Sequence, residues 1–246
     1  MPEKRFTMLE NNPDVMNYLA RALGTSSTLS FYDVYSLTDA ELLALIPRPV
    51  LALLVTIPLT PTWKAAREAE DKDKSEYTGK GDEEPVIWFT QTIRDACGSI
   101  GLIHCLLNNP EAAKHIAPGS TLDQIRQDAL PKTMWERAKV LEESDAFETA
   151  HQEAAKLGDT PTPLQGNKKH SGQHFVAFVK ASDGHLWELE GDRKGPLDRG
   201  LLDEDEDVLS PKALEMGLGR LMRIESEACG DLRFSAIALA NSVEQD

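Results

Sequence analysis

Three residues have the types and spacing to do chemistry: Gln91, Cys97 and His174. Cys97 lies in the stretch Gln91-Thr92-Ile93-Arg94-Asp95-Ala96-Cys97-Gly98-Ser99-Ile100-Gly101. The apolar run that follows predicts a helix over residues 97–107, so the thiol sits at a helix N-terminus. The positive end of the helix dipole favours the thiolate, which is the reactive form. Gln91, six residues upstream, offers an amide donor, and with the Cys97 N–H it could hold an oxyanion. Gly98 and Gly101 would leave room for a substrate backbone to approach. A free cysteine is more often a buried structural thiol, and composition alone favours that reading for Cys97 too. Cys105, among apolar residues of the same helix, and Cys229, with nothing nearby to activate it, are assigned it outright.

A cysteine nucleophile needs a base. His174 opens the strand HFVAFV directly after a long polar stretch, and alternation puts His174, Val176 and Phe178 on one face. His104, His115, His151, His170 and His185 read as surface or core histidines with a satisfied hydrogen bond. None of them pairs with zinc-ligand spacing, so no metal is expected, and hydrolysis by a thiol and an imidazole needs no cofactor. A carboxylate should orient the imidazole, and the hairpin constrains which one. A three-residue connection at 182–184 pairs Ala181 with His185, which puts Glu190 opposite Val176 and Asp192 opposite His174, both on the His174 face. A two-residue connection would turn both away.

The elements that must position these groups are legible in outline. Residues 6–9 form a short possible strand. Asn11 or Asn12 caps a helix from Pro13 to near Gly24. Residues 30–35 read as a strand, Thr38 as the cap of a helix over 39–45, with Glu41 at the capping-box position. Residues 50–57, a continuous apolar run, read as a buried central strand. A surface helix begins near Trp63, and two or three helices fill 120–154. Residues 155–173, with three glycines and two prolines, read as a long loop. A hairpin over 174–189, a helix over 210–228 and a closing strand over 233–241 complete an α+β chain of one domain, 1–246.

Composition narrows the class. There are 41 acidic against 26 basic side chains, a net charge of −15. A nucleic-acid binder shows the opposite sign, and an acidic surface suits a basic partner, although most of these charges need serve only solubility. Three cysteines fit a reducing compartment. The charged N-terminus is no secretory leader, and no run approaches the ~18 apolar residues of a membrane span. A cytoplasmic monomer without membrane or nucleic-acid partners is expected.

These residues carry a resemblance. The chain resembles the ubiquitin carboxyl-terminal hydrolases, papain-like cysteine proteases, over nearly its whole length. The blocks LENNPDVMNYLARALG, FYDVYSLTDAELLALIPRPVLALLVTIPLT, residues 91–109 and HFVAFVKASDGHLWELEGDRKGPLDRG stand in the family's order. The resemblance implies Gln91 as the oxyanion donor, Cys97 as the nucleophile and His174 as general base and acid. The family's aspartate falls in Glu-Leu-Asp-Gly, which here reads Glu188-Leu189-Glu190-Gly191. Glu190 therefore takes the orienting role, with Asp192 as the alternative. Asp95 and Ser99 stand where asparagine and threonine are more usual. The implied fold is a papain-like α+β fold with a central antiparallel sheet flanked by helices and a knotted backbone. Residues 155–173 become a loop crossing over the active site. The implied activity is hydrolysis of amide, ester or thioester bonds at the C-terminal glycine of ubiquitin, favouring small or unfolded leaving groups. Glu10, Asp14 and Asp33 are candidates to meet the arginine-rich ubiquitin tail. A hydrolase for a ubiquitin-like modifier and a non-catalytic ubiquitin-binding module are the alternatives.

Overall fold

In the computed structural model, which describes residues 4–159, 172–228 and 230–242, Asn12 starts the first helix. Its side chain accepts from the Val15 N–H at 2.9 Å, and Pro13 occupies the first turn, where no N–H is needed. From there the chain runs α1 (Pro13–Leu23), β1 (Leu29–Asp33), α2 (Ala40–Leu43), β2 (Val50–Pro58) and α3 (Pro61–Asp71). It continues through α4 (Cys97–Asn108), α5 (Pro110–Ala113), α6 (Thr121–Ala129), α7 (Met134–Glu142) and α8 (Asp145–Ala155). After the undescribed stretch come β3 (Gln173–Lys180), β4 (His185–Leu189), β5 (Leu197–Leu201), α9 (Pro211–Met216), α10 (Leu218–Ala228) and β6 (Ser235–Asn241).

The strands form one six-stranded sheet in the order β1-β6-β2-β3-β4-β5, every pairing antiparallel. All of β2 is buried, as its continuous apolar run requires of a strand covered on both faces. Alternation divides its side chains between two cores. Ala52 and Leu54 join Leu102, Ile103 and Leu106 of α4 on one face. Leu53, Val55 and Ile57 join Trp63 of α3 and Leu214, Leu218 and Leu221 of α9 and α10 on the other.

Helix α4 lies so close to the sheet that its glycines are packing residues. A Cβ on Gly101 would come within 2.6 Å of Leu54 Cδ1, and one on Gly98 within 3.3 Å of both Leu9 and Phe175. This corrects the expectation that they make room for substrate: their open side faces the core.

Other expectations are corrected as well. Residues 6–9 form no strand. The ladder contact there is an isolated bridge, Arg5 to Arg94, made by the Phe6 N–H on the Arg94 carbonyl (2.9 Å) and the Arg94 N–H on the Lys4 carbonyl (3.0 Å), and it goes no further because the Thr7 carbonyl turns to His151 Nε2 (2.6 Å). Asp39 rather than Thr38 caps α2, accepting from Glu41 and Leu42. The helix expected over 210–228 is two helices, broken at Gly217, where a Cβ would sit 3.0 Å from Phe178 and 3.1 Å from the Ala213 carbonyl. Strand β5 was not expected, since Leu197-Asp198-Arg199-Gly200-Leu201 lacks apolar alternation. Most of the expected crossover loop, 160–171, lies outside the described residues. The expected knot is a property of the whole chain path, which includes that stretch.

Candidate active site

Helix α4 delivers the thiol. Cys97 is its first residue and is half-buried, and Ala96 before it provides no side-chain cap. The first-turn N–H groups thus have no capping oxygen and remain available to an anion. The turn into the helix is made by Asp95 at φ +62°, a left-handed conformation tolerated by short polar side chains. Arg5 holds Asp95 through a 2.6 Å ion pair (Nε to Oδ2), beside the Arg5–Arg94 bridge.

Strand β3 delivers the imidazole. His174 stands opposite Ile57 of β2 and is 7% exposed. The hairpin adopts the register expected from a three-residue connection. Ala181 N–H donates to the His185 carbonyl at 3.1 Å, and Ala177 pairs with Leu189. Glu190 follows β4 directly, 1% exposed, with Oε1 3.1 Å from His174 Nε2. That approach is within ion-pair distance but too oblique for a hydrogen bond, and Nε2 has no other partner. Burial alone would push the His174 pKa down. Contact with the Cys97 thiol and then with the Glu190 carboxylate outweighs burial and holds it at about 10. Asp192 is arranged otherwise: its side chain is 63% exposed and turned to Arg67 at 2.5 Å.

The segment carrying Gln91 is fixed to both sides of the site. Residues 86–89 belong to no helix or strand. Instead His104 Nε2 accepts from the Phe89 N–H (3.0 Å), and Asn108 bonds both backbone groups of Ile87 (2.7 and 3.1 Å). Burial lowers the His104 pKa to about 3, so it is neutral and able to accept. Across from it, Gln91 N–H donates to the Gly191 carbonyl at 2.7 Å, and Trp88 Nε1 donates to the Glu190 carbonyl at 3.2 Å. Gln91 Nε2 donates to the Ile93 carbonyl at 3.2 Å, while its Oε1 is buried without a partner. One N–H of that amide is thereby tied to the backbone. Gln91, Thr92, Ile93, Arg94, Asp95, His174 and Asp192 line a cleft of ≈ 330 Å³.

Gln91, Cys97 and His174, singled out by type and spacing, therefore gather at one place with Glu190, the carboxylate favoured by the resemblance. The remaining histidines in the described residues have structural partners: His151 with Ser99 (2.5 Å), His115 with Thr28 (2.9 Å) and His185 with Asp198 (2.9 Å). His170 and Cys229 lie outside the described residues, and Cys105 is fully buried. Among the described residues no group of three or more His, Cys, Asp or Glu could hold a metal ion, and no helix is long and apolar enough to cross a membrane. Sequence reasoning missed Arg67 and Trp63, placed on a helix expected to be mere surface. The available signal was their four-residue spacing on α3, which stacks the guanidinium 4.7 Å from the indole centroid.

A thiol at a helix N-terminus, an imidazole and a buried carboxylate in contact define the site class of a cysteine-type hydrolase. The family model described as "Ubiquitin carboxyl-terminal hydrolase, family 1" matches residues 6–222, and the chain belongs to that family. It is 35% identical over 240 residues to ubiquitin carboxyl-terminal hydrolase 3 of Arabidopsis thaliana, covering 96% of this chain and 94% of that one. It is 35% identical over 209 residues to a ubiquitin carboxyl-terminal hydrolase of Aplysia californica, covering 82% and 89%. Among solved structures, the Trichinella spiralis UCH37 catalytic domain bound to ubiquitin vinyl methyl ester superposes with a TM-score of 0.72 at 19% identity, covering 98% of this chain and 97% of that one.

Proposed function

We propose that this protein is a deubiquitinating thiol protease with one catalytic domain, cutting after the C-terminal glycine of ubiquitin. The observation that carries the reading is the contact of Cys97 and Glu190 with one buried imidazole, His174. In the reaction His174 takes the Cys97 proton, and the thiolate attacks the glycine carbonyl. The oxyanion is held by the Gln91 amide and the Cys97 N–H. His174, oriented by Glu190, protonates the leaving amine, alcohol or thiol, and water then releases the acyl-enzyme.

The expected acidic contacts suit this reading. Asn11, beside Glu10 and ahead of Asp14, bonds the Ser235 carbonyl at 3.0 Å, and Val34, after Asp33, bonds the Ala236 carbonyl at 3.1 Å. Ser235 pairs with Thr56, next to Ile57 opposite His174. Glu10, Asp14 and Asp33 thus lie toward the His174 end of the sheet, where an arginine-rich tail would run into the site.

Two measurements test this reading. Gln91→Ala is expected to lower kcat by roughly 10²–10³-fold, the usual cost of one oxyanion donor. Gly191→Ala should produce part of the same loss, because its Cβ would press on Gln91 Cβ at 3.0 Å. An unchanged kcat for Gln91→Ala would remove it from the mechanism. The second concerns leaving-group size. A crossover segment at 155–173 would have to be threaded by whatever leaves, so small C-terminal adducts are expected to be cut fast and folded ubiquitin dimers slowly. Inserting about ten Gly/Ser residues near Thr162 costs little loop-closure entropy and should speed dimer cleavage while leaving small esters unaffected. Equal rates on both substrates in the unmodified enzyme would exclude a size filter.

A further inference from the structure

The catalytic carboxylate is held on one oxygen only. Glu190 Oε1 meets His174 Nε2 at 3.1 Å and also meets Arg67 Nη1 at 3.1 Å, while Oε2 is buried with no hydrogen-bond partner. The terminal torsion of a glutamate is soft and broad, so nothing intrinsic to Glu190 holds its carboxylate turned toward the imidazole. The guanidinium does. The same Nη1 donates to Asp192 Oδ2 at 2.5 Å and to the Asp192 carbonyl at 3.3 Å. The face of the guanidinium rests on Trp63, whose ring lies 6.1 Å from the His174 ring.

Arg67 is itself placed by its helix. Glu70 and Asp71, three and four residues on, share its side of α3. They bind Arg193 (Nη2 to Glu70 Oε2 2.7 Å and to Asp71 Oδ1 2.9 Å) and Arg199 (Nη1 to Glu70 Oε1 2.5 Å). This ion-pair network fastens α3 to the chain following β4, and it sets the distance from Arg67 to Glu190.

We propose that Arg67 is a positioning residue for the reaction, clamping the Glu190 carboxylate in place so that one of its oxygens is held against His174. Asp192 and Trp63 hold the clamp. The proposal rests on the reading of Glu190 as the acid that orients His174. A glutamate reaches further than an aspartate and has one more torsion to fix, and the clamp restrains it by holding the same oxygen that meets the imidazole. Other charged groups near this pair are the Cys97 thiol on α4, which contacts His174, and Arg193, whose charge interacts with Glu190 while its hydrogen bonds go to Glu70 and Asp71.

The test is a double-mutant cycle on the full chain with a small ubiquitin C-terminal ester. Arg67→Met is expected to lower kcat by about ten- to a hundred-fold, the scale of a small misplacement in a site, while KM stays within a few-fold. Arg67→Lys should restore part of the loss. The alkaline limb of the kcat profile should move to lower pH, because the imidazolium loses its aligned carboxylate. In a Glu190→Gln background the same Arg67→Met change should cost almost nothing. If Arg67 acted only as a charge repelling the imidazolium, the alkaline limb would instead move up. If it served only to hold the fold, the kcat loss would be as large in the Glu190→Gln background. Either result overturns the proposal. Undiminished turnover in Glu190→Gln alone would overturn the assignment of the orienting acid itself, and the clamp with it.

Discussion

Cys97→Ala is expected to abolish hydrolysis of ubiquitin esters, with a loss on the order of 10⁶-fold, as for removal of a nucleophile from a catalytic unit. Ubiquitin binding should persist, because the change removes one half-buried sulfur atom at the start of α4 and leaves the helix and its packing in place. Cys105→Ala is the internal control. Cys105 belongs to the same helix but is fully buried, and burial pushes its thiol pKa up, well away from a reactive thiolate. Its loss should cost some stability and little turnover. Steady-state rates and ubiquitin affinity, measured for both variants, check this. Substantial turnover in Cys97→Ala would remove it as the nucleophile.

Glu190→Gln should also be strongly damaging, with a loss of up to about 10⁴-fold. An amide in place of the carboxylate can donate to Nε2 and trap the wrong tautomer, and it cannot stabilise the imidazolium. Asp192→Asn should cost less than about ten-fold, because its carboxylate is exposed and reaches Arg67 rather than His174. A large loss confined to Asp192→Asn would exchange the two roles. The same pair predicts a pH effect on stability. The His174 pKa in the folded state, about 10, lies above its ordinary 6.5. The imidazolium contact therefore contributes stability in full below about pH 6.5, and the contribution is lost as pH rises through about 10. In Glu190→Gln the difference in unfolding free energy from the parent should be largest near pH 6.5 and shrink toward pH 10. A difference that grows with pH would contradict this assignment.

The candidate site was legible in the sequence because its parts are local. A cysteine opening an apolar helix, a glutamine six residues before it and a histidine at the head of an alternating strand each lie within one element. The three-residue turn at 182–184 set the hairpin register, and the register carried Glu190 to the His174 side of the sheet. What remained hidden is non-local. Strand β5 exists because β4 needs a partner, although its own residues show no strand pattern. The break at Gly217 answers to the Phe178 ring of another strand. Gly98 and Gly101 suggested substrate access, yet they serve the approach of α4 to Leu54 and Phe175. Arg67 stood in a charged surface-like helix, and only the tertiary placement of α3 brings it to Glu190.

The most direct measurement of the central claim is covalent capture. The full chain should be incubated with ubiquitin carrying a thiol-reactive C-terminal vinyl methyl ester, and the adduct mapped by peptide mass spectrometry. A single adduct on Cys97, absent from Cys97→Ala and slowed in His174→Ala, is the predicted result. No adduct, or one on Cys105 or Cys229, would contradict the account.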